Sequence, residues 1–242
     1  MKLIKYFQKE YGIDLPGDVT WSHATNSQER LDRMLNDTGI MMIESDISLS
    51  PGGIPIAAHP PQTESDLSCE QLVNQVKQSN KGLKVDFKDP RALIPCLQLL
   101  KELKLEQPIM LNADILQGNQ AYIPKFEPAE FIELCKKYLP SGMLSLGWTT
   151  VGGPISAYTL QNIDEMRKFS DQLEEVTFPI RACFLPNSWQ YISSLIKNEG
   201  QTFTIWNNEP VEDDLRGWIK SNTDPSKTFY DLIDEDKNPI RL

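Results

Sequence analysis

Short apolar runs alternate with amphipathic stretches along nearly the whole chain. Eight of the runs have the length and residue types of strands: residues 19–22, 40–44, 83–87, 109–112, 143–146, 176–180, 203–206 and 228–230. The stretches between them repeat apolar residues at three- and four-residue spacing, which predicts helices with one buried face. Regular alternation of strands and helices is typical of an α/β protein with a parallel sheet.

Seven helices are predicted between these strands. Asn26 followed by Glu29 predicts a capping box at the start of the first helix. Pro95 is expected in the first turn of the third helix, because a proline further inside removes a backbone hydrogen bond. Asn187 or Ser188 is expected to cap the sixth helix.

Eight strands in 242 residues match a single (β/α)₈ TIM barrel, whose usual size is roughly 250 residues. A doubly wound open sheet is the alternative, but the chain has no glycine-rich phosphate loop, and this favours the closed barrel. We expect one domain over residues 1–242, with a core of about 18–234. Function is then expected at the C-terminal ends of the strands and in the loops after them, of which 46–66 is the longest.

Composition limits the partners of the chain. Its net charge of −10 argues against non-specific adhesion to nucleic acid or anionic lipid, although a local positive pocket is compatible with it. No apolar run approaches roughly 18 residues, so no transmembrane segment is expected. The N-terminus does not have the pattern of a signal peptide, which favours a cytoplasmic location. The four cysteines form no CxxC pair, and Cys96 and Cys135 are expected to be buried free thiols.

Pairs of charged residues mark two consecutive strand ends. Glu44 and Asp46 end the second strand, and Asp86 and Lys88 end the third. Residues two apart on a strand face the same side, so three carboxylates converge on one barrel mouth. Such carboxylates repel one another and stay partly protonated unless a cation lies between them, and oxygen-only ligation suits Mg²⁺ or Ca²⁺.

Further polar and aromatic residues stand at strand ends, including the only two histidines, His23 and His59. Asn112 and Asp114 either line a site or bond the loop backbone. Arg181 is either an anion contact or the partner of a mouth carboxylate. Predicted substrate-contacting residues, from their strand-end positions, are Asn112, Asp114, Trp148, Arg181, Trp206 and Tyr230. For the tryptophans, a place in the core is the alternative to a pocket wall.

Taken in order, His23, Glu44, Asp46, His59, Asp86, Lys88 and Trp206 resemble the glycerophosphodiester phosphodiesterase superfamily, which includes the spider-venom sphingomyelinase D-like phospholipases D. The closer resemblance is to the related menorin family, through residues 20–27, 43–46, 58–61, 81–88, 111–116, 146–150, 176–182 and 229–231. It implies that Glu44, Asp46 and Asp86 hold Mg²⁺, with Ca²⁺ or Mn²⁺ also compatible. It further implies that His23 and His59 are the acid/base or nucleophilic pair and that Lys88 neutralises phosphoryl charge.

The resemblance also has departures that bear on the substrate. The phosphodiesterases usually follow the first histidine with Arg-Gly and the second with Asp, whereas this chain has Ala24-Thr25 and Pro60. Asp86 matches the venom enzymes, since many phosphodiesterases have Glu there. The leading hypothesis is a metal-dependent phosphodiesterase, hydrolysing or cyclising a glycerophosphodiester, a lysophospholipid or single-stranded nucleic-acid ends. The alternative is a non-catalytic module that binds a protein partner on an inherited barrel.

Overall fold

Eight parallel strands form a nearly closed barrel in the computed structural model, which describes residues 1–151 and 157–242. They are β1 (Trp21–Ser22), β2 (Met42–Leu49), β4 (Gly82–Phe87), β5 (Ile109–Gln117), β6 (Met143–Thr149), β7 (Val176–Arg181), β8 (Gln201–Trp206) and β9 (Thr228–Asp231). Neighbours pair in this order, and β9 lies beside β1, where the rings of Trp21 and Phe229 meet edge to face. The predicted TIM barrel is confirmed.

A ninth strand, β3 (Pro55–Ala57), pairs antiparallel with the end of β2. The sequence predicted a loop over residues 46–66, but β2 continues to Leu49 and turns back as a hairpin. Asp46 is therefore inside a strand, and the chain after β3 lies beside it.

Helices surround the barrel in the part of the chain that the structure describes. They are α1 (Lys2–Tyr11), α2 (Gln28–Asn36), α3 (Cys69–Lys77), α4 (Pro90–Leu103), α5 (Pro128–Tyr138), α6 (Leu160–Ser170), α7 (Leu185–Ile192) and α8 (Asp213–Asn222), with 3₁₀ turns at Pro16–Asp18 and Ala182–Phe184. Helix α1 was not predicted, and its Leu3 and Phe7 cover the N-terminal end of the barrel. Among these helices, none is long and apolar enough to cross a bilayer.

The start of α2 corrects the predicted capping box. Its N-cap is Ser27, whose hydroxyl accepts from the backbone N–H of Arg30 at 3.3 Å, so Glu29 is not in the reciprocal position. The side chain of Asn26 is left to bond strand β2 instead.

Two other helix predictions were wrong. Pro95 lies inside α4, beyond the first turn; the carbonyl that loses its helical donor belongs to Arg91, an exposed residue, where solvent can bond to it. Helix α7 begins earlier than expected and has no side-chain cap. The hydroxyl of Ser188 instead accepts from the backbone N–H of Tyr158 at 2.8 Å.

Alternation along the strands divides the core into two parts. Outward-facing residues such as Ile43, Val85 and Leu111 pack against the helices. The buried free thiols Cys96 and Cys135 belong to this outer core, as predicted. Inward-facing apolar residues fill the N-terminal half of the barrel, and we call this set the lower layer: Trp21, Met42, Met110, Met143 and Phe229. Gly82 completes the layer, because a Cβ there would overlap the sulfur of Met42.

Candidate metal-binding site at the barrel mouth

Three carboxylates converge inside the upper half of the barrel. Glu44 and Asp46 are two apart on β2, and Asp86 pairs in register with Asp46 on β4. One ligand oxygen from each lies within 4.8 Å of the others, and all three residues are buried. The structure thus brings together the three predicted metal ligands.

Each carboxylate is held by one neutral donor. The backbone N–H of Ala24 donates to Glu44 Oε2 at 2.5 Å. The amide nitrogen of Asn26 donates to Asp46 Oδ2, and that of Asn112 donates to Asp86 Oδ1, both at 2.7 Å. The sequence did not identify Asn26 as a supporting residue, because it was assigned to a helix cap.

Crowding of like charges perturbs these carboxyl groups. Burial raises the pKa of Glu44 to about 7. The negative charge of Asp46 also raises this pKa, whereas the positive charge of His23 acts to lower it. Burial acts to raise the pKa of Asp46, but the positive charge of Lys88 and the hydrogen bond from Asn26 outweigh burial and lower that pKa. A buried set of hard oxygen ligands, one of which retains a proton near neutrality, has the chemistry to accept a divalent cation. The residues therefore fit the predicted metal site.

Lys88, which the resemblance implies is a catalytic residue, contacts two of the three carboxylates. Its Nζ lies 2.7 Å from Asp86 Oδ2 and 3.3 Å from Asp46 Oδ1. Burial acts to lower the pKa of Lys88, but the two carboxylates outweigh it and raise that pKa well above its usual value. The ammonium group is therefore positively charged across the physiological range.

His23 follows β1 and lies at the seam of the barrel. Its Nδ1 lies 3.1 Å from Asp231 Oδ2 on β9 and 3.8 Å from Glu44 Oε2. Burial lowers the pKa of His23, yet the two carboxylates reverse that effect and raise it to about 9. The Nζ of Lys84 lies 3.7 Å from Asp231 Oδ2, in the same buried network.

Asp231 and Lys84 are residues of this buried network that the sequence reasoning missed. Both were present in the motifs, and the spacing rule applied to Glu44 and Asp46 could have found them. Lys84 stands two before Asp86 on β4, and Asp231 stands two after Phe229 of the lower layer. Alternation therefore places both inside the barrel.

His59 is positioned by the β2–β3 hairpin. The backbone N–H of Ala58 donates to the carbonyl of Asp46 at 2.9 Å, and the hydroxyl of Ser48 donates to the carbonyl of Ala58 at 2.8 Å. The Nδ1 of His59 lies 2.7 Å from the carbonyl oxygen of Pro60. This histidine is exposed, in contrast to His23.

A cavity of about 360 Å³ adjoins His59 and Lys88. Its lining also includes Asp114, Tyr122 and Phe126. Asp114 faces the inside of the barrel, because a Cβ on Gly147 of β6 would lie 2.6 Å from its Oδ1. Burial raises the pKa of Asp114 to about 7, although the positive charge of Lys88 acts to lower it.

Asn112 and Arg181 have definite partners in the structure. Asn112 bonds Asp86 as described and accepts a hydrogen bond from Ser145 Oγ at 2.6 Å, so it contacts a side chain of the site and not loop backbone. Arg181 pairs with Glu209, a half-exposed residue after β8, and not with a carboxylate of the metal cluster. Its guanidinium also lies over the ring of Trp206, 5.7 Å from the centroid. Their contact with substrate stays a prediction.

The structure places neither Trp148 nor Tyr230 at the mouth, which confirms the core alternative for Trp148 and contradicts the expectation for Tyr230. Trp148 is 1% exposed and packs on Tyr158, with ring centroids 5.0 Å apart. The hydroxyl of Tyr230 shares a 2.8 Å hydrogen bond with Thr223 at the end of α8. Both residues have the outward parity of their strands, so they face the helices.

The eight-stranded barrel has the fold of the phosphodiesterase-like TIM barrels. The crystal structure of glycerophosphodiester phosphodiesterase from Agrobacterium tumefaciens str. C58 superposes with a TM-score of 0.52, covering 88% of this chain and 96% of that chain. The sequence identity is 11%, so this likeness concerns the fold.

Sequence comparison gives the family. The Menorin N-terminal domain family matches residues 17–237. Human Protein FAM151B is 32% identical over 99% of this chain and 92% of its own length. The chain therefore belongs to the menorin family, as the motifs implied.

Proposed function

We propose that the protein is a metal-dependent phosphodiesterase. The observation that carries the proposal is the cluster of Glu44, Asp46 and Asp86, whose ligand oxygens lie within 4.8 Å of one another beside Lys88. Phosphodiester cleavage requires positive charge at the non-bridging oxygens and groups that move protons to and from the reacting oxygens. Residues of both kinds border the cluster.

The three carboxylates would hold Mg²⁺, with Ca²⁺ or Mn²⁺ compatible with the same oxygen donors. A bound cation supplies charge neutralisation and polarisation of the phosphoryl group. Lys88 adds a fixed positive charge, which its salt bridges to Asp46 and Asp86 hold beside the cluster. Donors fixed before the reaction stabilise charge that develops on phosphoryl oxygens.

His23 and His59 are the proposed acid and base. Each ring has its Nδ1 engaged, His23 beside Asp231 and His59 beside the carbonyl of Pro60. This leaves Nε2 of each ring to exchange protons with substrate. The two histidines have unlike surroundings, since His23 is held by buried carboxylates and His59 is exposed.

The proposed substrate is a small phosphodiester. The cavity of about 360 Å³ beside His59 and Lys88 would receive one of the esterified groups, and its aromatic wall suits a partly apolar group. Glycerophosphodiesters, lysophospholipids and single-stranded nucleic-acid ends meet this description. Long duplex nucleic acid is disfavoured by the net charge of −10.

The test is phosphorus NMR of purified protein with Mg²⁺ and a panel of these three substrate classes. We expect turnover that EDTA abolishes and that His59→Ala reduces by about 10²–10⁴-fold, because a general acid or base is lost. Gln62→Ala is the matched control, since Gln62 is exposed in the same segment. The phosphorus shift of the product separates hydrolysis from cyclisation.

A metal titration of the same protein makes the test decisive. Absence of both turnover and divalent-cation binding would contradict the proposal and favour a module that binds a protein partner. In that case His59→Ala should leave partner binding unchanged.

A further inference from the structure

A buried carboxylate lies behind the first histidine. Asp231 is the last residue of β9, is 0% exposed, and places Oδ2 3.1 Å from His23 Nδ1. His23 follows β1, so the contact crosses the seam between the first and last strands of the barrel. Asp231 is outside the acidic cluster and outside the cavity.

Charge decides which atom holds the proton in this contact. Lys84, itself 3% exposed, lies 3.7 Å from Asp231 Oδ2, and its ammonium group favours the ionised form of that carboxyl. An ionised carboxylate only accepts hydrogen bonds, so the proton of the contact must be on Nδ1 of the imidazole. Glu44 Oε2 lies 3.8 Å from the same nitrogen, beyond hydrogen-bond distance, and its negative charge favours the same arrangement.

We propose that Asp231 is a positioning residue for His23. It holds the ring with Nδ1–H toward β9 and thereby leaves Nε2 as the nitrogen that exchanges protons at the barrel mouth. The inference rests on the proposed function for its catalytic consequence. The tautomer and orientation of His23 are properties of the folded protein and are measurable without turnover. Lys84 supports the same arrangement by balancing the charge of Asp231.

Nitrogen NMR of ¹⁵N-histidine-labelled protein tests the tautomer directly. The chain has two histidines, so in His59→Ala the remaining ring signals belong to His23. The protein is kept free of metal with EDTA, and the ring is followed until it is deprotonated. We expect the neutral ring to carry its proton on Nδ1. Asp231→Asn should shift the neutral ring toward the Nε2-protonated form, because the amide no longer imposes an acceptor. Glu235→Gln, at an exposed neighbouring position, should change nothing.

Kinetics provide the second readout. If the protein turns over a phosphodiester, Asp231→Asn should lower kcat by about 10²-fold or more and leave KM within about twofold, as for loss of a histidine-orienting carboxylate. A merely structural role would lower the amount of folded protein and leave kcat per folded molecule unchanged.

The outcomes separate this inference from the proposed function. A wild-type His23 that is neutral with its proton on Nε2 overturns the inference, whatever the activity, and needs no variant to fold. Unchanged kcat in folded Asp231→Asn overturns it as well. An Nδ1-protonated His23 that Asp231→Asn releases supports the inference, even where no substrate of the panel is turned over and the proposed function fails.

Discussion

The barrel interior is apolar at its N-terminal end and polar at its C-terminal end, and the change occurs within two positions along a strand. On β2, Met42 belongs to the apolar lower layer and Glu44 to the cluster of three carboxylates. On β9, Phe229 packs against Trp21, whereas Asp231 contacts His23. We call the inward-facing polar set above the lower layer the upper layer: His23, Glu44, Asp46, Lys84, Asp86, Lys88, Asn112, Asp114 and Asp231.

The two layers contribute oppositely to stability. The lower layer is closed by α1 and gains free energy from burial of apolar surface. In the upper layer, burial without enough positive charge raises the pKa values of Glu44 and Asp114 to about 7. Such a set of charges is unfavourable for folding and suited to binding a cation. The strands thus place the stabilising apolar core at one end and the candidate cation site at the other.

Phe229→Ala should have the largest effect on stability. The side chain is fully buried, and its loss removes apolar contact and leaves a cavity, so we expect the free energy of unfolding to fall by about 3–5 kcal/mol. Urea denaturation measures the change, and Phe229→Leu should retain most of the stability. Divalent-cation affinity of the folded variant should be unchanged. A large loss of affinity would contradict the separation between the layers.

The metal-free protein should lose stability as pH rises. The pKa of Glu44 is raised from 4.5 to about 7 and that of His23 from 6.5 to about 9 on folding. Between these values the native state binds more protons than the unfolded state, so the free energy of unfolding decreases with pH. We expect the decrease to extend from about pH 5 to about pH 9, the range over which these two groups lose the protons that the native state holds in excess.

Urea denaturation in EDTA at several pH values measures this slope. Saturating Mg²⁺ should reduce this loss of stability at high pH, because a cation that binds only the native state stabilises the ionised carboxylates. Glu44→Gln should flatten the slope in EDTA, since it removes one of the titrating groups. Stability that rises with pH over this range would contradict the conclusion that the charges of the upper layer are unfavourable for folding.

Asn26→Ala should lower the affinity of the site for a divalent cation, although Asn26 is not one of the three carboxylates. The side chain of Asn26 donates to Asp46 Oδ2 at 2.7 Å and accepts from the backbone N–H of Asp46 at 2.9 Å. Loss of a residue that orients a metal ligand typically lowers metal affinity by about 10–100-fold. Ser27→Ala is a close control, because it removes only the helix cap and should cost about 1 kcal/mol of stability. Calorimetric titration with Mg²⁺ checks both, and equal affinities would show that Asn26 has no orienting role.

Much of the upper layer could be predicted because the relevant signal is local. The spacing of Glu44 and Asp46 within one strand, and of Asp86 and Lys88 at the end of the next, is enough to place four side chains on one side of a parallel sheet. His23 followed from its position after a strand. The barrel itself followed from the number and regularity of the strand–helix units.

The residues that were missed or misplaced depend on contacts that local pattern does not contain. Asn26 was assigned to a cap because a helix begins beside it, whereas its partner Asp46 lies on a neighbouring strand. The pairing of β3 with β2 depends on a hairpin within a segment rich in Pro and Gly. Helix α1 precedes the first strand and so falls outside the strand–helix alternation on which the prediction relied.

Tyr230 is an error of a different kind, and for Trp148 the choice between pocket wall and core was left open, because strand parity was available and was not applied to either residue. On β9, Asp231 faces His23, so Tyr230 must face the opposite side, where it lies against Thr223 and beside Gly17 of the first 3₁₀ turn. On β8, by contrast, Trp206 pairs in register with Asp231 and therefore shares its inward parity. Two aromatic residues at adjacent strand ends therefore belong to different parts of the molecule.

Tyr230→Phe should have the smallest effect and sharpens that distinction. The change removes one buried hydroxyl whose partner Thr223 also donates to the carbonyl of Ile219, so we expect a loss of about 1 kcal/mol in the free energy of unfolding. With a phosphodiester that the protein turns over, kcat and KM should stay at their wild-type values, because the side chain faces the helices. Trp206→Phe is the matched change on the inward face and should raise KM several-fold while leaving stability nearly unchanged. If Tyr230→Phe altered KM instead, the outward orientation of Tyr230 would be wrong, and the substrate would have to extend past the barrel wall between β8 and β9.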